Sequence, residues 1–242
     1  MRKVSVFCAV WSKDPHRHQL LRTHRENLRR QTQAVEPVYV FDGGDPPPVW
    51  LDAQTIAVGS DLTIYQAWNF ALTAVTTPLV MNLNLDDRLA PDAVEKMAAH
   101  LEASGALLAG GDWRICHSQD ETDAVGACVP VQDVPFSPVC PPAVETPRRL
   151  GSGTGERLTF GPGTLWRMEA HVRVPRYPWR LNDGTLIKSV ADGAFWSVLG
   201  RLGAPLTRLP MVIGNYHFHP QDQAEYRHKE NLLEMLPRLM KI

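Results

Sequence analysis

The run Leu79-Val80-Met81-Asn82-Leu83-Asn84-Leu85-Asp86-Asp87-Arg88-Leu89 sets the frame for the whole chain. Its apolar first half predicts a short buried strand. The strand ends on an amide and two adjacent carboxylates, and Pro91 leads into an amphipathic run. Open α/β sheets place ligands at such tips, between sheet and helix. Neighbouring aspartates raise the cost of ionising each other, and a divalent cation would remove that cost. Such oxygen donors suit magnesium or manganese, which sit on one or two carboxylates plus substrate phosphates. The plainer alternative is a solvated turn with a helix-capping aspartate.

Before this stretch, strand and helix patterns alternate. Val4 to Val10 reads as a buried strand. Asp14-Pro15 reads as a helix start, with the helix running to about Arg30. Leu20, Leu21 and Leu28 form its buried stripe, and His16, His18 and His24 its solvated side. Val38 to Phe41 is a strand that breaks at Asp42-Gly43-Gly44-Asp45. Glycines there let the backbone approach a ligand, and the strand-end aspartate can accept bonds from a base or ribose, although Asp-Gly is also an ordinary turn. Thr55 to Val58 reads as a third strand and Ile64 to Val75 as a helix. Behind Pro91, Val94, Met97, Ala98 and Leu101 recur at helical spacing, and Gly105 ends that helix. Ala106 to Ala109 reads as another strand. This alternation predicts a largely parallel sheet with right-handed crossovers.

The pattern changes beyond Asp112. Residues 117–157 carry no clear period and read as a long loop over a site. Order resumes at Leu158 to Arg167. Asn182-Asp183-Gly184 reads as a flexible turn. Ala191-Asp192-Gly193-Ala194-Phe195-Trp196 opens a short helix through Leu202, where Asp192 is either a cap or a working carboxylate. Val212 to Pro220 is extended. From Glu225 to Ile242, Leu232, Leu233, Leu236 and Leu239 make an apolar stripe with basic neighbours. That stripe suits packing on the domain, a homodimer contact, or a peripheral membrane contact.

The 242 residues suit one domain, taken as 1–242, with halves 1–110 and 111–242. A net charge of −1 gives no reason to expect a nucleic-acid partner. Cys8, Cys116, Cys128 and Cys140 lack metal-site spacing. Neither a signal peptide nor a membrane-length apolar run is visible, so the expected location is the cytoplasm, with a peripheral membrane contact as the alternative.

Taken in order, these motifs resemble the family-2 glycosyltransferases, GT-A-fold enzymes that use nucleotide-sugar donors. The resemblance runs from Val4 to about Tyr226. Ala9-Val10-Trp11-Ser12 stands where the family usually has Pro-Thr-Tyr-Asn. Asp42-Gly43-Gly44 resembles the nucleotide-binding turn. Ile64-Tyr65-Gln66-Ala67-Trp68-Asn69 is similar to a segment ending in Ala-Arg-Asn, with Trp68 in place of Arg. Leu83-Asn84-Leu85-Asp86-Asp87 resembles the metal-binding Leu-Asp-x-Asp-Asp. Ala191-Asp192-x-x-Phe195-Trp196 resembles the segment that carries the catalytic base, and Tyr216-x-x-His219-Pro220 one that can add a histidine to the metal.

The resemblance implies a GT-A-like, Rossmann-type mixed sheet flanked by helices. It implies an inverting transfer from a nucleotide-diphosphate sugar, a UDP-sugar first, to a saccharide, lipid-linked or other hydroxyl acceptor. Val10, Asp42, Asn69 and Asn84 would surround the nucleotide. Asp86 and His219 would hold a divalent cation, Mn²⁺ or Mg²⁺, and Asp192 would be the general base. His219 is preferred to His217 on that alignment. The competing readings are a nucleotidyltransferase, against which Trp11-Ser12-Lys13-Asp14-Pro15 lacks the expected glycines, and a degenerate, saccharide- or partner-binding member of the fold.

Overall fold

The computed structural model describes residues 2–130, 161–188 and 191–218, without the side chains of Ser197 and Arg201. Four parallel strands head the sheet: β1 (Val4–Val10), β2 (Val35–Phe41), β3 (Gln54–Ala57) and β4 (Leu79–Asn82). The helices α1 (Arg17–Arg29), α2 (Ile64–Ala74) and α3 (Ala93–Ser104) lie between or just beyond them. The remaining elements are β5 (Arg88–Leu89), β6 (Leu108–Cys116), α4 (Gln119–Asp123), β7 (Val129–Pro130), β8 (Leu165–Arg167), α5 (Ala170–Arg173), α6 (Ala191–Arg201) and β9 (Leu206–His217). One sheet joins them in the order β3-β2-β1-β4-β8-β6-β9-β5, with β7 on β9. β8 enters antiparallel to β4 and β6, whereas β6 and β9 run parallel. The expected mixed α/β sheet is therefore present.

Strand residues alternate between faces, and both faces are covered. Val4, Val6, Leu79 and Met81 pack with Val94, Met97 and Leu101 of α3. Phe7, Val38, Val40 and Val80 pack with Ala67, Trp68 and Ala71 of α2 and with Phe195, Trp196 and Leu199 of α6. The starts and ends of the helices follow their local chemistry. Thr63 and Gln66 form a reciprocal capping box on α2. Gly105 closes α3 at φ 63°, a conformation costly for a residue with a Cβ.

Four readings change. α1 begins after His16 rather than at Asp14, whose carboxylate instead accepts the His16 N–H at 2.8 Å. His24 is fully buried, not solvated, and hydrogen-bonded to the Tyr39 hydroxyl at 2.9 Å. It falls between Leu21 and Leu28 on the inward face, and burial, followed by nearby Arg88, pushes its pKa well below the usual value. Residues 117–157 are not one loop from their start, because α4 and β7 fall inside them. β5 was not expected, and two residues are too short for any periodicity to register. The expected C-terminal helix, with His219 just ahead of it, lies outside the described residues.

Candidate functional site

The ends of the parallel strands converge on one edge. Asp42 follows β2 and is nearly inaccessible. Its Oδ1 accepts the Ser12 N–H at 2.7 Å, and its Oδ2 accepts the Leu62 N–H at 3.2 Å. One carboxylate therefore pins the loops that follow β1 and β3. Gly43 and Gly44 continue in left-handed conformation. A side chain at Gly43 would bring its Cβ to 2.5 Å from Ser12 Oγ, so the turn is closed to other residues. Val10 is buried at the tip of β1, and Trp11 beside it is 42% exposed.

β1 separates β2 from β4, so the two strands whose ends lead into Asp42 and the Asp86 turn stand about 10 Å apart, two inter-strand spacings. After β4 the chain turns: the Asp87 N–H donates to the Asn84 carbonyl at 3.3 Å. Asn84 and Asp86 are half-buried, and Asp87 is fully buried. Burial, then the adjacent charge of Asp86, pushes the Asp87 carboxyl well above the usual range, while the His217 N–H at 3.0 Å and the Asn84 side chain act against that.

This turn is clamped from three sides. Buried Arg88 donates from Nη1 to the carbonyls of Leu85 at 2.9 Å and Asp87 at 2.7 Å, and from Nε to Asp123 at 2.6 Å. It also bonds the Thr23 hydroxyl. Gln119 of α4 reaches the Asp86 carbonyl at 3.3 Å and the His217 ring at 2.8 Å. From α1, Asn27 both donates to and accepts from the Leu89 backbone, at 2.8 and 3.0 Å.

Among the described residues no three acidic, histidine or cysteine groups gather into a metal cage. The donor set still fits magnesium or manganese, which need only one or two carboxylates when substrate phosphates and water complete the shell. The mutual charge stress on Asp86 and Asp87 is what such an ion relieves.

The third carboxylate sits on the other face. Asp192 lies in the first turn of α6, half-buried. Its Oδ1 accepts the Gly193 N–H at 2.9 Å, and the Tyr65 hydroxyl lies at 3.5 Å. Tyr65 belongs to the first turn of α2, three residues after Leu62, which binds Asp42. Asp42, the start of α2 and Asp192 are therefore consecutive along one edge. Asn69 goes elsewhere: its amide both donates to and accepts from the Tyr177 backbone at 2.9 Å, which fastens that segment to α2. Trp68 faces the core, 4% exposed, edge-on to Phe7.

Arg88, Gln119, Asn27 and Tyr65 were not singled out in the sequence. Asn27 carried a signal, since it lies among Leu21, His24 and Leu28 on the buried face of α1. Gln119 carried none, because its role depends on contacts between segments distant in the chain, and the same holds for the Arg88 bonds to Thr23 and Asp123.

No family model matches the chain, and no curated protein matches it by sequence. Solved structures do match in fold. Residues 1–349 of S. aureus TarS superpose with a TM-score of 0.68 at 15% identity, over 98% of this chain and 64% of that one. The mannosyltransferase PcManGT from Pyrobaculum calidifontis, in complex with GDP-Man and Mn²⁺, gives 0.64 at 12%, over 100% of this chain and 65% of that one. The CTP complex of CMP:2-keto-3-deoxy-manno-octonic acid synthetase gives 0.52 at 12%, over 97% and 99%. The chain thus has a GT-A-like fold, shared with TarS and the mannosyltransferase and, more distantly, with the synthetase. It spans just under two thirds of the length of the TarS fragment and the mannosyltransferase.

Proposed function

We propose that the chain is an inverting, metal-dependent glycosyltransferase that takes its sugar from a nucleotide diphosphate. The observation that carries this reading is the placing of Asp42, Asp86 and Asp192 around one sheet edge. TarS has been solved with UDP and with UDP-GlcNAc, which makes a UDP-sugar the first donor to test. Asp42, the Val10–Ser12 backbone and Asn84 bound the space for base and ribose. Asp86, with Asp87 behind it, would hold a magnesium or manganese ion, and His219 is the proposed additional ligand. A divalent cation bound there supplies charge neutralisation for a diphosphate leaving group.

In the transfer, the acceptor oxygen attacks the anomeric carbon opposite the diphosphate. The sugar–phosphate bond breaks and its electron pair leaves with the phosphate. The acceptor proton passes to Asp192, whose carboxylate stands at a helix N-terminus, where negative charge is favoured. Attack from the opposite face inverts the anomeric carbon.

A second reading, nucleotidyl transfer, has one observation behind it: the synthetase neighbour, nearly all of which this chain covers. The product separates the two. With manganese and a UDP-sugar, slow hydrolysis releasing UDP supports glycosyl transfer, whereas pyrophosphate made from a nucleoside triphosphate and a sugar acid supports the second. In parallel, UDP at a hundred times its Kd should stabilise the protein by about 2.7 kcal/mol. Asp86→Ala should abolish the manganese dependence of that stabilisation. Unchanged manganese-dependent UDP binding by the variant would reduce Asp86 to a turn residue.

A further inference from the structure

A cavity of about 480 Å³ opens beside α6, between that helix and the segment 174–180. Val174, Tyr177, Trp179, Phe195 and Val198 line it, so its walls are aliphatic and aromatic. Arg176 and Arg180 also line it. Both are exposed, and among the described residues neither has a carboxylate partner; Arg180 stacks on the Trp179 ring at 4.6 Å. No acidic residue occurs from 174 to 180. The wall is preformed: Pro175 and Pro178 restrict the segment, and Asn69 clamps the Tyr177 backbone from both sides.

An apolar pocket whose lining holds two arginines and no acidic residue is complementary to a molecule with an alkyl chain beside an anion. Guanidinium groups match phosphate and carboxylate oxygens. The cavity is also close to Asp192. Phe195 and Val198 lie one and two turns further along its helix. The Tyr177 phenol has a buried hydroxyl with no hydrogen-bond partner among the described residues.

We propose that this cavity binds an anionic amphiphile, an alkyl chain carrying a phosphate or carboxylate, and that this is the non-sugar end of the acceptor. The assignment to the acceptor rests on the transferase reading; the binding itself does not.

The test is equilibrium titration of the full chain with monomeric octyl phosphate and octanoate, beside inorganic phosphate and octyl glucoside, with UDP and manganese titrated separately. At least one of the two anionic octyl compounds should bind tenfold or more tighter than both controls. Affinity should climb by up to about fourfold per methylene along an alkyl phosphate series until the cavity is filled. Val198→Glu, which places a carboxylate in the wall, and the exposed double variant Arg176→Gln/Arg180→Gln should each weaken binding about tenfold. Neither should alter UDP binding. If Val198→Glu fails to fold, the arginine variant alone decides.

Equal binding of octyl phosphate, octanoate and the controls overturns the proposal. So does octyl binding untouched by the arginine changes, or binding to phosphatidylglycerol vesicles without binding of either monomer. Octyl binding lost with UDP binding intact removes the pocket only. UDP binding absent with octyl binding intact removes the transferase reading and keeps the pocket.

Discussion

Two acidic groups at the sheet edge, the Asp86–Asp87 turn and Asp192, sit in different surroundings. The Asp86–Asp87 turn is gripped by Arg88, Gln119, the His217 backbone and Asn27, groups drawn from α1, α4, β5 and β9. Asp192 has its own helix end and a phenol at 3.5 Å, a length at which a hydrogen bond is weak. A group that fixes a cation and a diphosphate gains from rigidity, because the charges it stabilises must meet it without reorganisation. A base that receives a proton must keep an oxygen accessible to the acceptor. The contrast in support matches the contrast in proposed task.

The largest effect expected from breaking this comparison is at Asp192. Asn caps a helix about as well as Asp, so Asp192→Asn should fold and bind UDP and manganese like the parent. Turnover at saturating acceptor should nevertheless drop about 10²–10⁴-fold, roughly 3–5 kcal/mol of transition-state free energy. A rate within a few-fold of the parent would reduce Asp192 to a cap, and Asp183, on the Asn182-Asp183-Gly184 turn, would be examined next.

The clamped end should answer in stability before activity. Arg88→Met keeps the apolar stem but removes the donors to two carbonyls and to Asp123. Buried groups left unsatisfied cost about 1–3 kcal/mol each, so a loss of about 3 kcal/mol in denaturant unfolding is expected, with weaker manganese-dependent UDP binding. A variant as stable as the parent with normal manganese dependence would show that the turn holds itself.

How much of this was legible in the sequence divides along the same line. The parallel half was largely readable, because most of its strands and helices carry their own periodicity: Val4–Val10, the run from Ile64, and the helix that Gly105 closes. Asp42, Asp86 and Asp192 were picked out by position in motifs. The clamp was not readable, since Gln119 and Asn27 act on partners 33 to 98 residues away and Arg88 ties its own turn to Thr23 and Asp123, 65 and 35 residues away, so none of them has a local pattern. Residues two apart on an extended strand share a face, so alternation offered no ground for separating His217 from His219. His24 was misplaced for a different reason: its polarity outweighed its register with Leu21 and Leu28.

β9, which delivers His217 to the clamp, is itself pinned to β6. At the irregular register around Asp112, Arg208 donates to both oxygens of that carboxylate at 2.8 and 2.6 Å. Burial raises the Asp112 pKa to about 6, against the opposing pull of Arg208. The folded state therefore holds this proton more tightly than the unfolded chain, whose aspartates titrate near 3.9. Its contribution favours folding most below about pH 4 and is lost as pH rises through about 6. Asp112→Asn removes that dependence. The stability of the parent relative to this variant should thus fall by up to about 3 kcal/mol between pH 4 and pH 7, read from urea midpoints at matched ionic strength. A difference that stays flat with pH would mean that Arg208 holds Asp112 ionised throughout.

The smallest expected effect lies at the lightly held end and tests the comparison most finely. Tyr65→Phe removes one hydroxyl, the group of α2 that lies 3.5 Å from the Asp192 carboxylate. The ring stays in the aromatic cluster, 5.4 Å from Trp68 and 6.4 Å from Tyr177, so packing and fold should hold. A hydrogen bond to a charged group is ordinarily worth about 1.5–3 kcal/mol, but at 3.5 Å most of that is forfeited. Turnover should therefore fall no more than about threefold, and UDP and manganese affinities should not move. The informative control is Asn69→Ala, which frees the Tyr177 backbone and leaves Tyr65 intact. If Tyr65→Phe alone costs as much as Asp192→Asn, the phenol is fixing the carboxylate in the transition state. Asp192 would then be as firmly supported as the Asp86–Asp87 turn, and the contrast between the two ends would fail.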